Sequence, residues 1–153
     1  MTVLLNSILI VDDDTGIRTM LSSVLNDEGY LVEAVENGKK AVKACEESSF
    51  DVALIDIMLP DMKGTELLNK LKKSQPKMIR IIITGHPSIE SAMKAVNERA
   101  DGYVLKPFEV TQMLEMIARL LTERTNEYLR ISTEITLAKE STPAVKYQGP
   151  DRW

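Results

Sequence analysis

Five short apolar runs recur along the first 108 residues, and segments of helical period separate them. The runs are Ile8–Val11, Tyr30–Val35, Val52–Ile55, Ile79–Ile83 and Tyr103–Leu105. Four of them are nearly continuous Ile, Val, Leu and Ala, which suits strands covered on both faces, as in a parallel sheet. Tyr30–Val35 alternates more, as an edge strand does. Between the runs, Ile17, Met20, Leu21, Val24 and Leu25 follow the spacing of an amphipathic helix that Gly29 would stop. Further helices are predicted at about 39–46 after Asn37-Gly38, at about 65–73 before Pro76, after Pro87 on Ile89, Ala92, Met93 and Val96, and after Pro107. Strand–helix alternation of this kind predicts an α/β fold with an open, doubly wound sheet. Right-handed crossovers then gather the strands' carboxyl ends at one edge, where ligands bind.

The 153 residues suffice for one domain with a single core. A net charge of −4 gives no general attraction to nucleic acid or to an anionic membrane, so neither is an expected partner. The lone Cys45 excludes an internal disulfide and fits a reducing compartment. The apolar stretch from Val3 to Val11 is interrupted by Asn6 and Ser7 and is too short to span a membrane; the expected location is the cytoplasm.

The chemistry-bearing residues fall at the strand ends. Asp12, Asp13 and Asp14 follow the first strand, and Asp56 follows the third. Carboxylates held together at the ligand edge repel one another unless a hard cation is shared among them, and Mg²⁺ prefers such oxygen donors. The bland alternative is a solvated loop in which Asp14 or Thr15 caps the first helix. Thr84 closes the fourth strand beside the small Gly85, and Lys106 closes the fifth before Pro107. A hydroxyl and a movable ammonium at the same edge add phosphate-binding chemistry to the carboxylates.

With these residues in place, the stretches "ILIVDDD", "ALIDIMLPDMKG", "IIITGH" and "YVLKPF" resemble the receiver domains of two-component response regulators, over about residues 7–121. The resemblance implies a flavodoxin-like sheet of five parallel strands in the order 2-1-3-4-5. It implies Mg²⁺ held by Asp12, Asp13, Asp56 and the backbone carbonyl of Met58, with Asp13 preferred over Asp12 as direct ligand. Asp56 would be the phosphoacceptor, a carboxylate nucleophile that becomes an acyl phosphate. Thr84 and Lys106 would bind the phosphoryl oxygens, Pro60 and Gly64 would shape the loop after the acceptor, and Tyr103 would be the switch aromatic that moves as Thr84 moves. The face of the fourth helix, fifth strand and fifth helix would change in response. The implied donor is a histidine kinase or phosphotransfer protein. A homodimer, through that face or through the C-terminal helix, is a further expectation. The chain would be a signalling module, not an enzyme acting on other substrates.

Two other readings are weaker. A haloacid-dehalogenase-like phosphatase would need Thr or Val where Gly16 stands after Asp12 and Asp14, and its cap domain is missing. A degenerate receiver that only binds partners would lack the acceptor, the acidic pair or the lysine. His86 is expected as an ordinary loop residue, Cys45 as a half-buried helix position, and Met113, Met116 and Ile117 as core. Tyr103 as plain core is the alternative to its switching role.

Residues 1–121 are therefore assigned to the receiver and 122–153 to an extension, helical then disordered, or a linker to an absent output domain. Leu114, Ile117 and Leu121 of the fifth helix's core face, then Arg124, Tyr128, Ile131, Ile135 and Ala138 of the extension, share one 3-4 spacing that predicts a helix to about Ala138. Leu129, Ile131, Thr133, Ile135 and Leu137 alternate as a strand does, and four threonines disfavour the helix.

Overall fold

The computed structural model describes residues 5–85, 88, 94–97 and 99–141. The elements run β1 (Ser7–Val11), α1 (Thr15–Asp27), β2 (Leu31–Val35), α2 (Gly38–Glu47), β3 (Val52–Asp56), α3 (Gly64–Ser74), β4 (Ile79–Thr84), β5 (Gly102–Leu105) and a C-terminal helix (Val110–Ser141). All five strands are parallel, in the order β2-β1-β3-β4-β5. The expected doubly wound α/β sheet and its strand order are both present.

The continuous apolar runs are explained by two cores. On one face Leu9, Val11, Ala53, Ile55 and Ile82 meet Ala41 and Ala44 of α2 and Leu67, Leu68 and Leu71 of α3. On the other, Ile8, Ile10, Leu54, Ile81 and Ile83 meet Leu21 and Leu25 of α1 and Met113, Ile117 and Leu121 of the C-terminal helix. Each fully buried Leu or Ile contributes about 1.5–3 kcal/mol by leaving water. β2 is an edge strand whose residues are mostly exposed, as its alternation predicts. Cys45, expected half-buried, is buried in α2; Met113 and Ile117 are core, as expected, while Met116 is only partly buried against it.

Local signals set the ends. Asp14 is the cap of α1, its carboxylate accepting the N–H of Ile17 at 2.9 Å. Gly29, at φ +95°, supplies the left-handed turn after that helix. Asn37 caps α2 through the N–H of Lys40. Of the helix expected after Pro87, Ile89, Ala92 and Met93 lie outside the described residues; residues 94–97 are helical and Ala95 is buried. His86 and the segment from Thr142 onward also lie outside them.

Residues up to Leu121 and those from Thr122 onward form two separate units. In the second unit the helical pattern prevails over the alternating one despite its threonines. The hydroxyls of Thr133 and Thr136 donate to the carbonyls of Leu129 and Ser132, four residues back, at 2.9 and 3.0 Å, which satisfies them inside the helix at a slight cost to it. Arg130 pairs with Glu127 at 2.7 Å and with Glu134 at 2.6 Å, bracketing one helical turn on each side.

Candidate functional site

Strand register assembles the site. Val11 lies beside Ile55, Asp56 beside Ile83, and Thr84 beside Leu105. Asp12, Asp56, Thr84 and Lys106 therefore emerge within one residue of each other at the carboxyl edge, although up to 94 positions separate them in sequence. Asp12, Asp56 and Thr84 are buried; Asp13 is exposed.

The Lys106 ammonium joins the carboxylates. Its Nζ donates to Oδ2 of Asp12 at 2.8 Å and to Oδ2 of Asp56 at 3.2 Å. Burial alone would depress the Lys106 ammonium; the hydrogen bond and attraction to Asp12, then those to Asp56, overcome it and raise its pKa. Asp56 is held above the ordinary carboxylate range. Its burial raises it first and the neighbouring Asp12 charge raises it further, against the lowering effect of the Met58 N–H at 3.1 Å and of Lys106. Asp12 is fixed from behind: its carboxylate accepts the Asp14 N–H at 2.9 Å, and its carbonyl accepts from Nη1 of Arg18 at 2.8 Å.

One oxygen from each of Asp12, Asp13 and Asp56 lies within 4.8 Å of the others. Three hard carboxylate oxygens, with neither sulfur nor imidazole among them, fit Mg²⁺. The single ammonium of Lys106 leaves most of their charge uncompensated.

The loop after Asp56 is built by close contact. The N–H of Gly64 donates to the carbonyl of Ile57 at 2.8 Å, and Met58 bridges Lys63 across the loop. Two further contacts hold it that sequence reasoning missed. Asp61 accepts the backbone N–H groups of Gly38 and Lys39, both at 2.9 Å, binding the loop to the first turn of α2. The Met62 side chain occupies the space a side chain on Gly38 would take. An aspartate after Pro60 and a glycine after Asn37 each read locally as turn residues, so no periodicity links them.

Tyr103 packs its ring against the core face shared with α2 and α3. Its hydroxyl is buried with no hydrogen-bond partner among the described residues. It lies beside Ile82 on the neighbouring strand, two residues before Thr84. The Lys106–Pro107 peptide bond is cis.

Comparison with known proteins bears on the whole arrangement. A family model described as "Response regulator receiver domain" matches residues 8–118. The DNA-binding transcriptional regulator NtrC of Proteus hauseri is 36% identical over 116 residues, which is 76% of this chain and 24% of that protein. A CheY-like response regulator receiver domain from Methanospirillum hungatei JF-1 is 42% identical with a TM-score of 0.79, covering 81% of this chain and 99% of that one. A response regulator from Burkholderia pseudomallei, solved with a phosphorylated aspartic acid, calcium ion and citrate, is 28% identical with a TM-score of 0.71, covering 80% and 72%. The chain spans between about a quarter and three-fifths of the length of curated relatives it matches. Among the described residues no helix is long and apolar enough to cross a membrane. With the family match running from β1 into the C-terminal helix, the chain belongs to the response regulator receiver family.

Proposed function

We propose that Asp56 is the phosphoacceptor of a two-component relay and that its modification changes the surface beside β5. The observation that carries this reading is the convergence of Asp12, Asp13, Asp56 and Lys106 at one sheet edge. An Asp56 oxygen attacks the phosphorus of a phosphohistidine on a histidine kinase or phosphotransfer protein. The new O–P bond forms as the N–P bond breaks, and the imidazole keeps the electron pair. Asp12, Asp13, Asp56 and the Met58 carbonyl would hold Mg²⁺, which when bound offsets the charge of carboxylates and phosphoryl oxygens. Lys106 already contacts Asp56 and exchanges part of that contact for a phosphoryl oxygen. The aspartyl phosphate reported for the Burkholderia relative supports the same chemistry here.

The switch follows from one buried group, Thr84, and one partly buried group, Tyr103. The Thr84 hydroxyl turns toward the phosphoryl group, and the Tyr103 ring fills the space it leaves, a choice between two packings. Alongside β5, Tyr103, Leu105, Phe108, Gln112 and Met116 line a groove of about 430 Å³. Leu105 is half-exposed there and Val96 is exposed. This face, with residues 94–97, is the surface a partner reads. A kinase donor sets the reaction in the cytoplasm, residues 1–121 act as the receiver, and 122–153 extend or link it.

Amide spectra recorded before and after acetyl phosphate and Mg²⁺ test the reading. Shifts at Thr84, Tyr103 and Leu105 are expected in the wild type and absent in Asp56→Asn. Lys106→Ala should take up phosphoryl yet shift Tyr103 little. Wild-type shifts confined to residues 12–14 and 56–58 would contradict the switch.

A further inference from the structure

The turn from β1 into α1 is three residues long, and all three are aspartates, Asp12, Asp13 and Asp14. Carboxylates this close repel one another, so the backbone between them needs anchors. Two are local. The Asp12 N–H donates to the carbonyl of Val35 at 3.2 Å, and the Asp12 carboxylate accepts the Asp14 N–H at 2.9 Å. The third comes from α1. Arg18 donates from Nη1 to the Asp12 carbonyl at 2.8 Å and from Nη2 to Oγ1 of Thr15 at 3.2 Å. Its own backbone N–H donates to the Asp14 carbonyl at 3.1 Å. Helix stability does not account for this residue. It stands near the amino end of α1, where the helix dipole disfavours a cation.

We infer that Arg18 is a positioning residue of the Mg²⁺ site, one that sets the relative placement of the Asp12 and Asp13 carboxylates. The Asp12 carbonyl belongs to the peptide unit that joins these two residues. That unit is planar, with both Cα atoms in its plane. Holding its oxygen therefore fixes how both Cα atoms, and the carboxylates they carry, face the site. Asp13 is exposed, so the main chain rather than packing must place its carboxylate. A guanidinium suits the task because its planar fork spans a carbonyl and a hydroxyl at once. Arg18 directs its donors to those two oxygens, whereas Lys106 occupies Oδ2 of Asp12 and of Asp56. Lys106 shares its oxygens with any ion that enters; Arg18 holds the loop without taking one.

Charge alone predicts the opposite effect. Arg18 is a cation beside a cation site, so on Coulombic grounds its removal should tighten Mg²⁺. If placing the carboxylates matters more, its removal weakens Mg²⁺. Residues that orient metal ligands contribute about 10- to 100-fold in affinity. The sign of the change separates the two effects.

This inference rests on the reading of Asp12, Asp13 and Asp56 as the Mg²⁺ site, and metal binding without a phosphodonor tests both. The full 153-residue chain is titrated with magnesium chloride in a calorimeter. Arg18→Met keeps a long stem and a good helix former while removing donors and charge. It should bind Mg²⁺ about tenfold or more weakly than the wild type. Arg18→Lys keeps the charge but not the fork, and should lose affinity by a smaller factor. Circular dichroism in chelator verifies that the variants are folded. With acetyl phosphate, the Mg²⁺ concentration that half-saturates phosphorylation of Arg18→Met should rise with its dissociation constant. The rate at saturating Mg²⁺ should fall by less. Equal or tighter binding by Arg18→Met, or by Arg18→Lys should only that variant fold, would overturn the positioning role and leave the metal site standing. A wild type that binds no Mg²⁺ would overturn both.

Discussion

A Cβ placed on Gly64 would lie 2.3 Å from the carbonyl oxygen of Asp56 and 2.7 Å from Cα of Ile57. Both contacts are to backbone, which cannot rotate away. The start of α3 therefore abuts the acceptor strand only because position 64 has no side chain. Gly64→Ala should destabilise the protein by about 1–3 kcal/mol, as overpacking does. Urea unfolding followed by circular dichroism measures it, and an unchanged midpoint would show that the loop relaxes freely.

Burial and the Asp12 charge raise the Asp56 pKa, so its ionised form is less favoured folded than unfolded. By linkage, that costs stability progressively as the pH rises above the ordinary carboxylate range. Without a divalent cation, Asp56→Asn should therefore melt higher than wild type near neutral pH. At a pH low enough to protonate Asp56 the difference should vanish. A variant that melts lower at neutral pH would mean that its contact with Lys106 outweighs the repulsion.

Mg²⁺ should reverse that order. Millimolar Mg²⁺ binds the folded state alone and should stabilise the wild type by about 1–3 kcal/mol when well above its dissociation constant. Asp13→Asn should lose most of that gain, since Asp13 is an exposed member of the cluster and little else depends on it. Calorimetric melting with Mg²⁺ and with chelator measures it. Equal responses from wild type and Asp13→Asn would remove Asp13 from the site.

The strand ends that carry Asp12, Asp56, Thr84 and Lys106 were legible because a parallel sheet places every such end on one edge, and a buried strand announces itself as an apolar run. Contacts between single side chains and distant backbone were not legible. The Asp61 carboxylate on Gly38 and Lys39 is one case. Gln75 is another: its amide donates to the carbonyls of Cys45 and Ser48 and accepts the Phe50 N–H, tying the end of α3 to the loop before β3. Neither residue repeats with any period. Past Thr122 two periods coexist in the same residues, and the Arg130 pairs that favour the helix can be counted only in three dimensions.

Burial pushes the Cys45 thiol up to about 11, so at pH 8 almost none is thiolate. Alkylation by iodoacetamide should be at least about tenfold slower than for a free thiol of ordinary pKa, and urea should restore the rate. Fast labelling of the native chain would mean that α2 opens readily.

Met58 is 60% exposed two residues beyond the acceptor, and its thioether gives water almost no hydrogen bond. Hydrolysis of an aspartyl phosphate needs a water aligned with the breaking O–P bond. Met58→Asn should therefore shorten the life of the phosphorylated state severalfold, read as decay of the modified mass after the donor is removed. Identical decay in both proteins would place the attacking water elsewhere.

The most direct test is the identity of the modified residue. The chain is incubated with acetyl phosphate, with Mg²⁺ or with chelator, and its intact mass and peptides are measured. One base-labile phosphoryl group should appear on Asp56 with Mg²⁺, and none in chelator or in Asp56→Asn. Modification at any other residue with Asp56 untouched, or equal modification of Asp56→Asn, would contradict the account.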